Sequence, residues 1–205
     1  EVICRRLNEP EGCRIRRSAE ALGMYVLPCE LFSVRSDVMG NAILSRYPIE
    51  DYYHQKLQKE FSQKYCEPRG AQWAFVRRNG IRLGIINIHL SCWFHERQRQ
   101  FRFFLENAPY RLDSGNWIFC GDFNTLPNSA IYKQITGKYE FLDSGKKSHP
   151  RIKSWPSVWP FIQIDHIFYK GNLKLKRIRC PKKSLNSRAS DHLPVLAEFL
   201  HETGS

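Results

Sequence analysis

The chain has 205 residues, 32 Lys plus Arg against 20 Asp plus Glu, a formal net charge of +12, and 42% hydrophobic and 25% charged residues. This is the composition of a folded globular domain and excludes collagen-like, disordered and disulfide-miniprotein classes; folding at this length buries about 70% of the unfolded surface, so any metal would serve chemistry rather than stability. No run reaches the roughly 18 to 20 apolar residues of a spanning helix, and no basic-then-apolar leader opens the chain, so it reads as one soluble domain over residues 1–200 with a short tail at 201–205.

In chain order, Arg14 to Met24 reads as a short helix, with Ile15, Ala19 and Leu22 on one side and Gly23 in the stop position. Gly40 to Ser45 is a buried-strand candidate ended by Tyr47-Pro48. Ala71 to Arg77 and Ile81 to His89 are β-rich runs joined by Asn79-Gly80, a pair that accepts the positive φ angles of a tight hairpin. Ser91 to Leu105 is expected to be a helix with an inner stripe of Phe94, Phe101, Phe104 and Leu105. Asn116 to Cys120 is a compact strand, followed by a short helix near Ser129 to Ile135 that stops at Gly137. Three more strands are expected at Ile162 to Tyr169, Leu173 to Arg179 and Pro194 to Phe199, after an irregular loop from Asp143 to Phe161 of a length that often marks a binding segment. Antiparallel hairpins with a few helices predict an α+β fold, two sheets face to face with helices outside.

The seven cysteines are odd in number, scattered and without C-x-x-C spacing. They read as reduced thiols, which implies a cytoplasmic location. Charge is concentrated instead: Ser144 to Ser190 holds twelve basic residues and one acid, Asp165, and so carries eleven of the twelve net positive charges. Such a window is either a solvated basic face or a surface for a polyanion such as nucleic acid or anionic lipid. Trp155, Trp159, Phe161, Phe168 and Tyr169 interleave with it, as base stacking or core packing would each require.

Polar clusters stand where apolar strands stop: Asn87-Ile88-His89, Gly121-Asp122-Phe123-Asn124, Asp165-His166 and Ser190-Asp191-His192. Asp165 carries the most weight, because Ile164-Asp165-His166-Ile167-Phe168 is otherwise apolar and a strand interior keeps a carboxylate only beside a cation or an imidazole. His192 is the natural partner; His166 is the alternative.

Together with Glu1-Val2, Gly40-Asn41-Ala42-Ile43-Leu44-Ser45-Arg46-Tyr47-Pro48-Ile49 and Leu193-Pro194, these blocks stand in the order found in the endonuclease/exonuclease/phosphatase superfamily, which the chain resembles over nearly its whole length. The resemblance implies a four-layer α/β sandwich and a metal-dependent phosphoesterase. It assigns Glu1 and Asp191 to the metal and His192 to the scissile phosphate. Asp165 would orient His192, Asp122 would position or deprotonate the attacking water, and Asn124 and His89 would donate to phosphate oxygens. Trp155, Trp159 and Arg188 are expected on the substrate side. Mg²⁺ suits so sparse a carboxylate set better than Ca²⁺ does, with Mn²⁺ as a substitute.

Family members begin with a strand, a helix and a second strand leading into the metal Glu, and nothing before Glu1 supplies them, a gap of about 30 to 40 residues. The reading that follows is a monomeric Mg²⁺-dependent nuclease acting on DNA or RNA. The alternatives are a lipid or inositol-phosphate phosphoesterase and, in another class, an inactive polyanion-binding module.

Overall fold

The computed structural model describes the backbone of residues 2–5 and residues 13–35, 37–57, 67–146, 148, 150–181 and 189–202, except the side chain of residue 34. The chain divides into two compact units, Glu1–Tyr110 and Arg111–Ser205.

The first unit holds β1 (Val2–Arg5), α1 (Arg14–Ala21), β2 (Tyr25–Val34), β3 (Asp37–Ser45), β4 (Ile49–Lys56), β5 (Gly70–Arg78), β6 (Ile81–His89) and α2 (Phe94–Glu106). One antiparallel sheet runs β1-β3-β2, and β4, β5 and β6 pair antiparallel in that order. Asn79 and Gly80, at φ 51° and 79°, make the turn expected of them. Gly40 is required where β3 crosses β2, because a Cβ there would run into the Cys29 carbonyl.

Strand β5 is buried from Gly70 to Val76 without alternation, since both of its faces are covered. On one side Trp73 stacks on Phe104 of α2 at 4.9 Å. On the other, Ala74 packs with Leu27 and Ile43 of the β1-β3-β2 sheet, and the Gln72 amide donates to the Leu27 carbonyl at 2.9 Å. Sheet on sheet with a helix outside is thus present within this unit. The α2 stripe differs from expectation: Glu96, Gln100, Phe101 and Phe104 are buried, whereas Phe94 is 59% exposed. The reason is polar. Ser91 donates its hydroxyl to Glu96 (2.7 Å) and its N–H to Gln100 (2.9 Å), so the first turn buries its acid and turns Phe94 outward. Strand β4 carries no clear period-2 pattern and went unread in the sequence; β2 also went unread, although Leu27, Cys29 and Leu31 are buried with Glu30 exposed between them.

The second unit holds β7 (Asn116–Asp122), α3 (Ala130–Lys133), a π-helical turn (Gln134–Lys138), β8 (Leu142–Asp143), β9 (Asp165–Lys170), β10 (Leu173–Arg179) and β11 (Leu196–His201). Strands β7, β9 and β8 pair antiparallel in that order, and β10 and β11 form a separate hairpin. The strand expected from Ile162 begins at Asp165, and the one expected from Pro194 begins at Leu196. The core is aromatic. Phe119 meets Phe123 edge-on at 5.0 Å, Phe123 meets Phe168 at 5.3 Å, and all three are at most 1% exposed. The Ser129 hydroxyl caps α3 by accepting the Tyr132 N–H at 3.2 Å; Ser129→Ala is expected to cost about 1 kcal/mol, read as a lowered urea midpoint at unchanged m-value.

Among the described residues no helix is long and apolar enough to cross a membrane. The expectation of seven reduced thiols is corrected at Cys13, which is disulfide-bonded; Cys29, Cys92, Cys120 and Cys180 are free. Spacing alone could not reveal a single bridge between scattered cysteines. Burial pushes the Cys29 and Cys120 thiols up to about 11, while Cys92 is exposed. Because the thiolate is the reacting form, iodoacetamide at pH 8 should modify Cys92 in the native protein and reach Cys29 and Cys120 only after denaturation, as peptide mapping will show.

Candidate active site

Strands β7 and β9 end side by side, with Gly121 opposite His166 and Asp122 opposite Asp165. This register brings the last residue of one apolar strand next to the first of another. Gly121 sits at φ 140°, a region that L side chains rarely adopt, and Asn124 sits at φ 48°, which Asn tolerates better than most residues. Asp122 fixes that turn: its Oδ1 accepts the Asn124 backbone N–H at 2.8 Å and its Oδ2 accepts the Asn124 amide at 3.1 Å.

His192 comes from the Ser190-Asp191-His192 turn, where the Ser190 hydroxyl accepts the His192 N–H at 3.1 Å. A carboxylate only accepts, so the 2.8 Å contact between His192 Nδ1 and Asp165 Oδ2 is an Nδ1–H donation. It aims Nε2 away, 3.9 Å from Asp122 Oδ2 and 4.0 Å from Asp191 Oδ2. The hydrogen bond to Asp165 raises the His192 pKa above 6.5, helped by the charges of Asp165, Asp122 and Asp191 and opposed by burial.

His166 is the other outcome. It is 1% exposed, stacks on Phe168 at 5.3 Å, and donates Nε2–H to the Thr125 carbonyl at 2.9 Å, leaving Nδ1 to face the Gln163 amide at 3.3 Å. Burial lowers its pKa. A histidine lowered on folding holds its proton more weakly native than unfolded, so its contribution to stability is intact above the unfolded value of about 6.5 and erodes as pH falls below it. Half-buried His54 acts in the same direction, whereas the raised His192 contributes below about 6.5 and loses that contribution as pH rises through its native pKa. Ring ¹⁵N shifts should show His166 neutral with Nε2–H at pH values where free imidazole is mostly protonated; titration of His166 at or above 6.5 would contradict this geometry.

Asp122, Asp165 and His192 bring one ligand atom each to within 4.8 Å of one another, the sole such cluster of His, Cys and acidic groups among the described residues. The spacing is that of a divalent site, but the hydrogen bonding speaks for another use. Asp165 is engaged by Nδ1–H and both Asp122 oxygens accept from Asn124, so an ion there would have to share both carboxylates with these donors, and the Nε2 lone pair of His192 is open to it only while the ring is neutral. Asp191 differs, with its carboxylate 81% exposed beside the cluster. One solvent-exposed carboxylate with water is the kind of partial oxygen set that Mg²⁺ takes.

Of the other expected residues, Glu1 and Arg188 lie outside the described residues. His89 ends β6 in the first unit, where the Arg69 guanidinium donates to its Nδ1 at 3.0 Å and leaves the ring proton on Nε2. Trp155 is half-buried, with Phe161 edge-on at 5.9 Å, and Trp159 is exposed. Sequence reasoning missed Ser154. It is fully buried; its hydroxyl accepts the Asp165 N–H at 3.4 Å and its carbonyl accepts the Leu193 N–H at 2.7 Å, which locks the Asp165 strand to the His192 turn. A serine in an irregular stretch gives no signal of that role.

The protein YbhP of Escherichia coli K12, whose name calls it uncharacterized, is 27% identical over 165 residues, covering 78% of this chain and 62% of its own length. The chain therefore spans less than two thirds of that curated relative. An endonuclease/exonuclease/phosphatase of Bacteroides vulgatus superposes with TM-score 0.72 at 17% identity, over 92% of this chain and 80% of its own. A mannosyl-6-phosphatase of Bacteroides thetaiotaomicron superposes with TM-score 0.68 at 17% identity, over 93% and 79%. These likenesses establish the sandwich fold expected from the sequence. A family model described as Endonuclease/Exonuclease/phosphatase matches residues 8–192. With that match across most of its length, the chain belongs to the endonuclease/exonuclease/phosphatase family, whose members hydrolyse phosphoester bonds, in general with a divalent metal.

Proposed function

We propose that the protein is a Mg²⁺-dependent phosphodiesterase acting on nucleic acid, in which residues 1–200 work as one catalytic domain. The observation that carries the reading is the Asp165–His192 pair directed at Asp122. In this reading Asp165 holds His192 in one tautomer and favours its protonated form, so Nε2–H is presented to a phosphate oxygen as charge builds there. Asp122 stands 3.9 Å from Nε2, placed to orient a water and accept its proton. Asn124, latched to Asp122, is the neighbouring amide that would donate to a second phosphate oxygen. Asp191 is the described carboxylate suited to the metal, and Mn²⁺ would fit the same oxygen chemistry. When bound, the ion neutralises the phosphodiester and polarises the scissile P–O bond.

Nucleic acid is favoured over a lipid or inositol phosphate by the aromatic residues that interleave with the basic window from Ser144 to Ser190, since bases stack on rings. The mannosyl-6-phosphatase neighbour supports a phosphomonoester as the second reading. The Cys13 bridge favours an oxidising compartment over the cytoplasm as the site of action, since disulfides persist mainly in oxidising compartments.

The test is hydrolysis of bis-p-nitrophenyl phosphate. Release of p-nitrophenol should require Mg²⁺, stop with EDTA and return with excess Mg²⁺. Turnover indifferent to EDTA would overturn the metal dependence, and no turnover under any divalent cation would overturn the reading in favour of a binding module. Rapid hydrolysis of sugar phosphates with none of oligonucleotides would favour the phosphomonoesterase.

A further inference from the structure

Residues 154–162 make a narrow loop closed at its base. The N–H groups of Ser154 and Trp155 donate to the Ile162 carbonyl at 2.9 and 3.2 Å, and those of Phe161 and Ile162 donate back to the Trp155 carbonyl at 3.1 and 3.2 Å. The same base is tied to the candidate active site, through Ser157 N–H to the Asp191 carbonyl at 2.6 Å and Leu193 N–H to the Ser154 carbonyl at 2.7 Å. So anchored, the tip holds Val158 at 72%, Trp159 at 78% and Phe161 at 55% exposure. Three apolar side chains within four residues, set on a braced loop instead of being folded inward, form a patch that a lone soluble chain has no use for.

The chemistry around the patch selects its occupant. Along the irregular segment that precedes the loop, exposed Arg151 and Lys153 alternate with buried Ile152 and Ser154, so two exposed cations stand within a few residues of the rings in the chain. Cations beside aromatic faces suit a chain of phosphates carrying flat bases, because phosphates meet the cations and each base offers a π face. Bases in a duplex are already stacked and paired, so the ring platform suits unpaired ones. Trp155 contacts Phe161 edge-on at 5.9 Å and steadies it, which leaves Trp159 as the open face.

We infer that Trp159, with Phe161 beside it, is a stacking platform for an unpaired base of a single-stranded nucleic acid whose neighbouring phosphate reaches His192. The inference rests on the nucleic-acid reading above and narrows it to single strands. It makes Trp159 a specificity residue, distinct from the groups that touch the reacting phosphate.

Equilibrium binding tests it apart from catalysis. A fluorescein-labelled 12-mer of deoxythymidine or riboadenosine is titrated by anisotropy with the full chain carrying His192→Ala, and with the same chain also carrying Trp159→Ala or Trp159→Phe. Loss of one base–aromatic stack is expected to raise Kd about 5- to 150-fold in Trp159→Ala, with most of the affinity recovered in Trp159→Phe. Near-UV circular dichroism and the thermal midpoint confirm that the fold persists. No measurable oligonucleotide binding by the parent, or Kd within twofold in Trp159→Ala, overturns the inference. So does an effect of Trp159→Ala confined to phosphatidylserine vesicles, which would make the tip a membrane anchor. Metal-dependent hydrolysis of bis-p-nitrophenyl phosphate by the unaltered chain is measured alongside: if it is present while Trp159 proves indifferent, the inference fails and the catalytic reading stands.

Discussion

His192→Ala and Asp122→Ala should each lower kcat for bis-p-nitrophenyl phosphate by at least about 100-fold, with KM changed little and the fold intact. The size of the effect follows from what each group does as charge develops on the phosphate. Nε2 of His192 is a donor fixed in advance by Asp165, and such a donor is worth more in a site with fixed dipoles than in water, where solvent must reorganise. Asp122 has two jobs in the proposed mechanism. It would accept a proton from the attacking water, and it latches Asn124 in its left-handed conformation, so the alanine variant loses a carboxylate and loosens a neighbouring donor together. The fold should survive because both side chains lie outside the Phe119–Phe123–Phe168 core, with His192 a quarter exposed. Steady-state kinetics with far- and near-UV circular dichroism decide the matter. Near-normal hydrolysis by both variants would remove the site from consideration.

The second large effect is expected from Asp165→Asn, which keeps the shape of the side chain and removes its charge. Without the carboxylate, Nδ1–H has a weaker acceptor, the ring can take the other tautomer, and the leading cause of the raised His192 pKa is gone. Turnover is expected to fall about 10²- to 10⁴-fold, the usual worth of a positioned proton donor. The pKa of His192 should move down, so its protonated form is lost at a lower pH than in the unaltered chain. A structural role for Asp165 would lower stability without moving that titration. Followed by NMR, the His192 ring therefore distinguishes a positioning carboxylate from a packing one.

Much of this site was legible in the sequence, for physical reasons that differ by residue. Asp165 stood out because an ion inside an apolar strand needs a partner, and the structure supplies His192 at 2.8 Å. The sequence favoured His192 over His166 without excluding the latter, since both stand next to aspartates, and the ring contacts of His166 in the Phe123–Phe168 core decide it. The Asn79-Gly80 hairpin could be read from local backbone preference alone. Strand β4 could not, because its Ile-Glu-Asp-Tyr-Tyr-His-Gln-Lys sequence has no period-2 pattern and is held mainly by β5. Phe94 misled because a helical stripe says nothing of a buried Ser91–Glu96 hydrogen bond that turns the first residue outward. Ser154 was silent since its role arises from long-range hydrogen bonds to Asp165 and Leu193.

The central claim is that Asp165 presents His192 to a phosphate held beside Asp122. Its most direct test is the ring ¹⁵N spectrum of His192 in the full chain, titrated with inorganic phosphate in the presence of Mg²⁺. The account predicts a protonated Nδ1 throughout and a saturable shift at Nε2 as phosphate binds, absent in Asp165→Asn. A His192 Nε2 resonance that ignores phosphate, or responds equally without Asp165, would contradict it.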